Sequence, residues 1–272
     1  MLNTFVLIKQ VPDPHNLKID QKTGTLIREG VENIINPDDL YALEFALQIK
    51  SNYGGTTHAI TMGPPHAVNA LRECLAMGID RAILISDPMF SYSDTLQTTL
   101  VLKEAFEHIK NYDLILTGSK TSDSSTGQVP YQLSEALDIP LITDIFSFEI
   151  ISNKIFKCHR NFGHESQHIQ TNLPILIRVQ RHYNEPRHIP LGGIKKAYEE
   201  KIQVFDFNTF NCPNYLDGCN KSPTAVVKTE QIEIRRKNEE IDGTIQEKIE
   251  KLIKIMKEHR IERIWTGRHK HD

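Results

Sequence analysis

The sequence has no surplus of basic charge, no C-x-x-C pair, no G-x-G-x-x-G run and no apolar stretch of bilayer length. Lys and Arg number 32 against 35 Asp and Glu, which leaves nucleic-acid binding without electrostatic support. A membrane-spanning helix needs about 20 consecutive apolar residues, and none is present. The four cysteines, Cys74, Cys158, Cys212 and Cys219, are scattered, so free thiols in a cytoplasmic chain are expected, not a disulfide framework. Met1 to Lys9 carries no basic region ahead of its apolar residues and reads as a first strand, not as a secretion signal. The single tryptophan, Trp265, stands in a polar tail, where it is expected to anchor on a partner.

A chain of 272 residues has room for one substantial core and an appendage. Residues 4–11 are read as a buried strand stopped by Pro12 and Pro14. Alternation around Thr23-Gly24 predicts a hairpin pairing 17–19 with 26–28. Asn36 is expected to cap a helix that opens with Pro37, Asp38 and Asp39 and runs to about Lys50, with Leu40, Leu43, Ala46 and Leu47 on its apolar face. Strand–helix units follow over 58–76, 81–109 and 112–137. Such alternation calls for a parallel sheet covered on both faces, with ligands outside the carboxyl ends of its strands. The loops at 9–14, 36–39, 62–65, 91–95 and 118–128 are expected to gather at that edge.

The most informative of them runs from Gly118 to Gln128. It carries five hydroxyl side chains between Ser119 and Ser125 and leads from a strand into a helix starting near Thr126 to Gln128. Free amides at a helix start, with glycines at 118 and 127, suit an anion such as a phosphate. An ordinary helix capped by Ser125 or Thr126 is the plainer alternative. The loop lacks the upstream glycine of a Walker A sequence.

After Pro140 the pattern turns to strands over 142–150, 154–159, 166–171 and 174–179, expected to extend the sheet in antiparallel fashion. Residues 184–225 read as an extended arm, followed by a polar helix from Thr244 to Glu258 and an exposed tail. His164-Glu165-Ser166-Gln167-His168 has the H-E-x-x-H spacing of zinc proteases, which requires a helix. Its flanks alternate as strands, and at ~3.3 Å per residue the two imidazoles would stand about 13 Å apart. No metal site and no catalytic acid, base or nucleophile is assigned.

Several short stretches, in order, are similar to electron transfer flavoprotein β subunits. They include Lys9-Gln10-Val11-Pro12-Asp13, Gly24 to Val31, Ile35-Asn36-Pro37-Asp38-Asp39 and Met62-Gly63-Pro64-Pro65. Further along stand Ser93-Asp94-Thr95-Leu96, Asp123, Thr126-Gly127-Gln128-Val129 and Asn184-Glu185-Pro186-Arg187. The resemblance implies a Rossmann-like fold of the adenine nucleotide alpha-hydrolase type over 1–183, and a partner-docking loop and arm over 184–272. It implies an α subunit as partner in a heterodimer, with Leu7, Lys9, Asn36, Asp38, Asp39, Ala59, Met62, Thr95, Gly118, Asp123, Ser124, Ser125, Thr126, Gly127, Gln128 and Val129 around a nucleotide. The segment with Glu185, Arg187 and Leu191 resembles the loop that meets partner dehydrogenases, acyl-CoA types among them.

The N-terminal third looks most like the electron-bifurcating branch. There NADH reduces an FAD in this subunit, and ferredoxin or flavodoxin takes the low-potential electron. Simple carriers hold AMP instead. Ser119-Lys120-Thr121-Ser122 and Ser124-Ser125 depart from the family loop, which leaves FAD and AMP both open. A stand-alone adenine-nucleotide sensor domain is the alternative of another class.

Overall fold

Largely apolar runs become the inner strands of a parallel sheet, because a strand buried on both faces offers water to neither; the polar side chains buried there are threonines such as Thr4, Thr57, Thr61 and Thr117. The computed structural model describes residues 1–13, 18–19, 26–27, 32–152, 154–163, 165–210, 214–225 and 240–258. Contacts divide the chain into residues 1–229 and 230–272. In chain order, β1 (Asn3–Leu7), β2 (Gln10–Pro12), β3 (Lys18–Ile19), β4 (Leu26–Ile27) and β5 (Asn33–Ile35) precede α1 (Pro37–Tyr53). Then come β6 (Thr56–Met62), α2 (Val68–Met77), β7 (Arg81–Ile85), α3 (Thr95–Ile109), β8 (Leu114–Thr117) and α4 (Val129–Ala136). They are followed by β9 (Leu141–Thr143), β10 (Ile145–Ile151), β11 (Ile155–Phe162), β12 (Glu165–Asn172) and β13 (Ile175–Arg178). The first unit ends with α5 (Leu191–Glu199), β14 (Gln203–Phe205) and α6 (Gly218–Lys221).

Seven strands form the main sheet in the order β14-β7-β6-β1-β8-β13-β9, every pair parallel. Neighbouring residues of one strand point to opposite faces and feed separate cores. On β1, Phe5 meets Phe106 of α3 edge-on at 5.5 Å, while Val6 faces the core built around α1 and α2. The mostly parallel α/β architecture expected above is therefore present. The hairpin is present too, with Lys18 opposite Ile27 and Ile19 opposite Leu26; the turn between them lies outside the described residues.

Three expectations are corrected. The strands after Pro140 do not extend the sheet in antiparallel fashion. The fully apolar Ile175-Leu176-Ile177 and the edge strand Leu141–Thr143 join the parallel sheet. The alternating β10, β11 and β12 form a separate antiparallel sheet with one face exposed. Asp144, at φ +59°, turns the chain from one sheet to the other inside the run read as a single strand.

Second, α1 is buried well beyond one stripe: Phe45 packs on Phe148 at 4.7 Å and on Tyr183 at 5.1 Å, so the small sheet covers the side that a two-layer fold would leave wet. Third, residues 184–225 are not a coreless arm, since α5 packs on α2 and β14 pairs with β7. An added Cβ at Gly193 would stand 2.1 Å from the Ala76 carbonyl oxygen, so the contact between the two helices needs that glycine. The Arg72 guanidinium donates to the carbonyls of Ala197 and Glu200 and secures the end of α5.

The second unit contains α7 (Ile245–Glu258). Thr244 and Glu247 cap it reciprocally: the Thr244 amide donates to Glu247 at 2.8 Å and the Glu247 amide to the Thr244 hydroxyl at 3.4 Å. Ile245, Ile249, Leu252 and Ile253 are exposed on it. Among the described residues no helix is long and apolar enough to cross a membrane.

His58 on β6 stacks on Phe5 at 4.3 Å, and burial together with the Arg81 charge pushes its pKa down to about 4, against the opposing charge of Asp80. Below pH 6.5 the unfolded chain binds a proton at His58 that the fold refuses, so stability falls as pH drops from 6.5 towards 4. Urea unfolding of His58→Gln across that window is expected to show a shallower acid loss than the parent chain.

Candidate functional site

The chain leaves β1 for β6 and β7 on one side, then returns to β8 on the other side of β1. The strand order reverses between β1 and β8, which in such sheets marks the ligand crevice outside the carboxyl ends of the strands. The loops after β1 and β8 meet across it. The Lys9 ammonium lies 2.6 Å from the Asp123 carboxylate. Asn36 joins the same loops: its side-chain N–H donates to the Lys120 carbonyl at 2.9 Å, and its oxygen accepts the Ser122 amide at 3.0 Å. Asn36 stands at the start of α1 as expected, yet its side chain caps nothing there, because the crevice-bridging pair of bonds occupies it.

Asp38 and Asp39 lie below these bridges and are nearly fully buried. Asp38 pairs with Arg181 at 3.0 Å. Asp39 accepts the Lys9 backbone N–H at 2.8 Å. Its pKa is pushed up to about 7 by burial, against hydrogen bonds from the Lys9 amide and the Asn36 side chain, with the Asp38 charge adding to the rise and the Gly118 amide opposing it. For Asp123 burial acts in the raising direction too, but the Lys9 ammonium and the Thr121 hydroxyl prevail and hold the carboxyl below its ordinary value.

Gly118 is a steric requirement. A Cβ there would lie 2.4 Å from Asp39 Oδ1 and 2.7 Å from the Asp38 carbonyl carbon. Gly127 has φ +60° and Ser125 φ +54°, so the loop doubles back just before α4. The Ser125 hydroxyl donates to the Thr121 carbonyl at 3.1 Å, and Thr121 and Ser124 share a 2.9 Å hydrogen bond. Neither Ser125 nor Thr126 caps α4, which begins at Val129 after Gln128 with no side-chain cap. The plainer alternative, a helix capped by Ser125 or Thr126, does not form: the hydroxyls close the loop on itself.

Thr95 opens α3 beside this loop and hydrogen-bonds the Gln128 side chain at 3.1 Å. Leu7 and Met62 end β1 and β6 and pack partly buried against the α3 core. Ala59 is not brought to the edge; it is fully buried in mid-strand, opposite Val6. Arg181 escaped the sequence reading. Its signal was its place just past a strand, visible only once β13 is recognised as a parallel neighbour of β8.

Among the docking residues, Glu185 is exposed and Leu191 is 90% exposed, whereas the Arg187 guanidinium forks onto buried Glu44 at 2.7 and 2.9 Å. The H-E-x-x-H segment gives a strand from Glu165, with His164 outside the described residues. His168 instead meets His159 across the ladder, with ring centroids 3.9 Å apart. Two imidazoles alone make no metal centre, and among the described residues no group of three or more His, Cys, Asp or Glu side chains could hold an ion.

A family model for the electron transfer flavoprotein domain matches residues 23–209. The chain belongs to the electron transfer flavoprotein family. Over 262 residues it is 39% identical to the caffeyl-CoA reductase-Etf complex subunit CarD of Acetobacterium woodii, covering 96% of this chain and 100% of that one. Over 253 residues it is 39% identical to the electron transfer flavoprotein subunit beta of Thermoanaerobacterium thermosaccharolyticum, covering 93% and 96% of the two chains. The acryloyl-CoA reductase electron transfer subunit gamma of Anaerotignum propionicum is 33% identical over 266 residues, covering 95% and 99%. As a member of this family the chain is an electron-transfer subunit, and the crevice between β1 and β8 is its candidate nucleotide site.

One feature of this edge fits a polar ligand such as a nucleotide. Thr61 and Thr117, at the carboxyl ends of β6 and β8, hold buried hydroxyls with no protein partner. Gly118→Ala is expected to cost about 1–3 kcal/mol by overpacking against Asp38 and Asp39. Chemical denaturation reads that loss, and nucleotide retention through gel filtration should drop with it.

Proposed function

We propose that this chain is the β subunit of a heterodimeric electron transfer flavoprotein that holds FAD in the β1–β8 crevice. It works with an α subunit to pass electrons from NADH, with flavin-based bifurcation as the mode. The observation that carries the reading is the polar bridging of the strand-order reversal by Lys9, Asn36 and Asp123. When bound, the flavin supplies the redox chemistry, and the protein's contribution is position, field and exclusion of water. Lys9 brings a positive charge to the crevice mouth. The backbone from Asp123 to Val129 lies where a phosphate would meet the head of α4. Gly118 lets Asp39 pack against the loop after β8, and Asn36 holds the two walls at a set distance. No side chain serves as acid, base or nucleophile.

Two exposed surfaces support the partner assignments. The apolar row on α7 is proposed to lie on the α subunit. The patch of Leu191, Ile194 and Tyr198 on α5 is proposed to meet a CoA-ester dehydrogenase or reductase, in line with the two CoA reductase complexes among the relatives. Ferredoxin or flavodoxin would take the low-potential electron.

Denaturing the purified heterodimer and separating the released nucleotides tests the cofactor. Two FAD per heterodimer are expected; one FAD and one AMP would make this a simple carrier in which the crevice holds a structural ligand. Leu191→Ala should lower kcat/KM with the partner dehydrogenase roughly tenfold, the equivalent of about 1.4 kcal/mol at an apolar contact, with nucleotide content unchanged. Stopped-flow reduction of the partner reads this out, and an unaltered rate would remove α5 from the docking surface.

A further inference from the structure

We propose that an anionic nucleotide enters the crevice together with one proton, taken from solvent by the Asp39 carboxylate. This rests on the nucleotide reading above and adds its proton linkage.

Three carboxylates line the join between β1 and β8, and they are neutralised differently. Asp123 has the Lys9 ammonium at 2.6 Å, and Asp38 has Arg181 at 3.0 Å. Asp39 lies deepest and, among the described residues, has no cationic side chain against it. Its charge is met only by dipoles: the amides of Lys9 and Gly118 and the side chain of Asn36. The other titratable groups facing it from the packed elements are Asp38 beside it on α1 and the buried thiol of Cys74 on α2, next to Glu73. Both carboxylates add negative charge, and burial, with the charges of Glu73 and Asp39 behind it, raises the thiol well above its ordinary range, so it stays neutral. None of these groups can offset a further anion.

A diphosphate placed over this cluster would face a buried negative charge across a low-dielectric gap. Lys9 and Arg181 already have partners, so the least costly response is to neutralise Asp39. Burial has already brought its pKa to about 7, and a nearby anion moves it further in the same direction. The sign follows. Above pH 7 the free chain has shed this proton and the complex retains it, so binding consumes a proton and weakens as pH rises. The limiting slope is about tenfold in affinity per pH unit for one linked proton. Below pH 7 the proton is present in both states and the dependence levels off.

The test uses the full chain freed of nucleotide, with FAD and, in parallel, ADP-ribose as probes. Their diphosphates remain fully ionised throughout, so neither contributes a proton of its own. Titration calorimetry at pH 8 in two buffers of different ionisation enthalpy counts the protons. Close to one proton taken up by the parent chain, and none by Asp39→Asn, is the expected result. Probe binding without uptake, or uptake that persists in Asp39→Asn, overturns the linkage and leaves the nucleotide site standing. Failure of both probes to bind at any pH overturns the nucleotide reading and the linkage with it. Should Asp39→Asn not fold, infrared difference spectra of the parent chain with isotope-labelled aspartate decide. A protonated carboxyl band that grows when probe is added at pH 8 supports the proposal, and its absence refutes it.

Discussion

Asp39 accepts N–H groups from both walls of the crevice, through Lys9 after β1 and Gly118 after β8, and the architecture around it follows from that one buried carboxylate. To reach both amides it must enter where a side chain at 118 would stand, so the glycine and the aspartate require each other. The contact fixes how far apart the two loops sit, and that spacing sets the width of the crevice. Lys9–Asp123 and the Asn36 bridges then close the outer rim over a floor already in place.

The sheet supplies the rigidity. Its two cores lie on opposite faces, one under α1 and α2 and the other under α3 and α4, and β1 and β8 contribute alternate residues to both. A shift of either strand at the crevice would therefore disturb packing on both faces at once. The small antiparallel sheet adds a third layer over α1 and buries the helix from which Asp38 and Asp39 project.

Much of this could be read from the residues, and the rest failed for identifiable reasons. The helix read in the 81–109 unit is α3, and the structure adds its cap, the Asp94 carboxylate accepting the Gln97 amide. The crevice loops were found because strand–helix alternation places them together whatever their contacts. Asn36 was read as a cap because local chemistry favours one, and a tertiary demand took its side chain elsewhere. The alternation of 142–179 identifies strands but does not separate those buried on two faces from those buried on one, so β10, β11 and β12 are placed in the wrong sheet and β9 and β13 in the right sheet with the wrong direction. Gly192 and Gly193 lower the intrinsic helicity of α5 and hide it from the sequence pattern, and only Gly193 is explained by the proximity of α2.

The clamping of α5 bears on how this molecule would meet others. Gly193 seats the helix on the Ala76 carbonyl, and Arg72 grips its far end, so Leu191, Ile194 and Tyr198 project from a helix held at two points. A visitor docking there finds its landing ground already ordered, and little conformational freedom is lost on arrival. Such a surface permits swift encounters without demanding long residence, which suits a shuttle that must let go after every delivery.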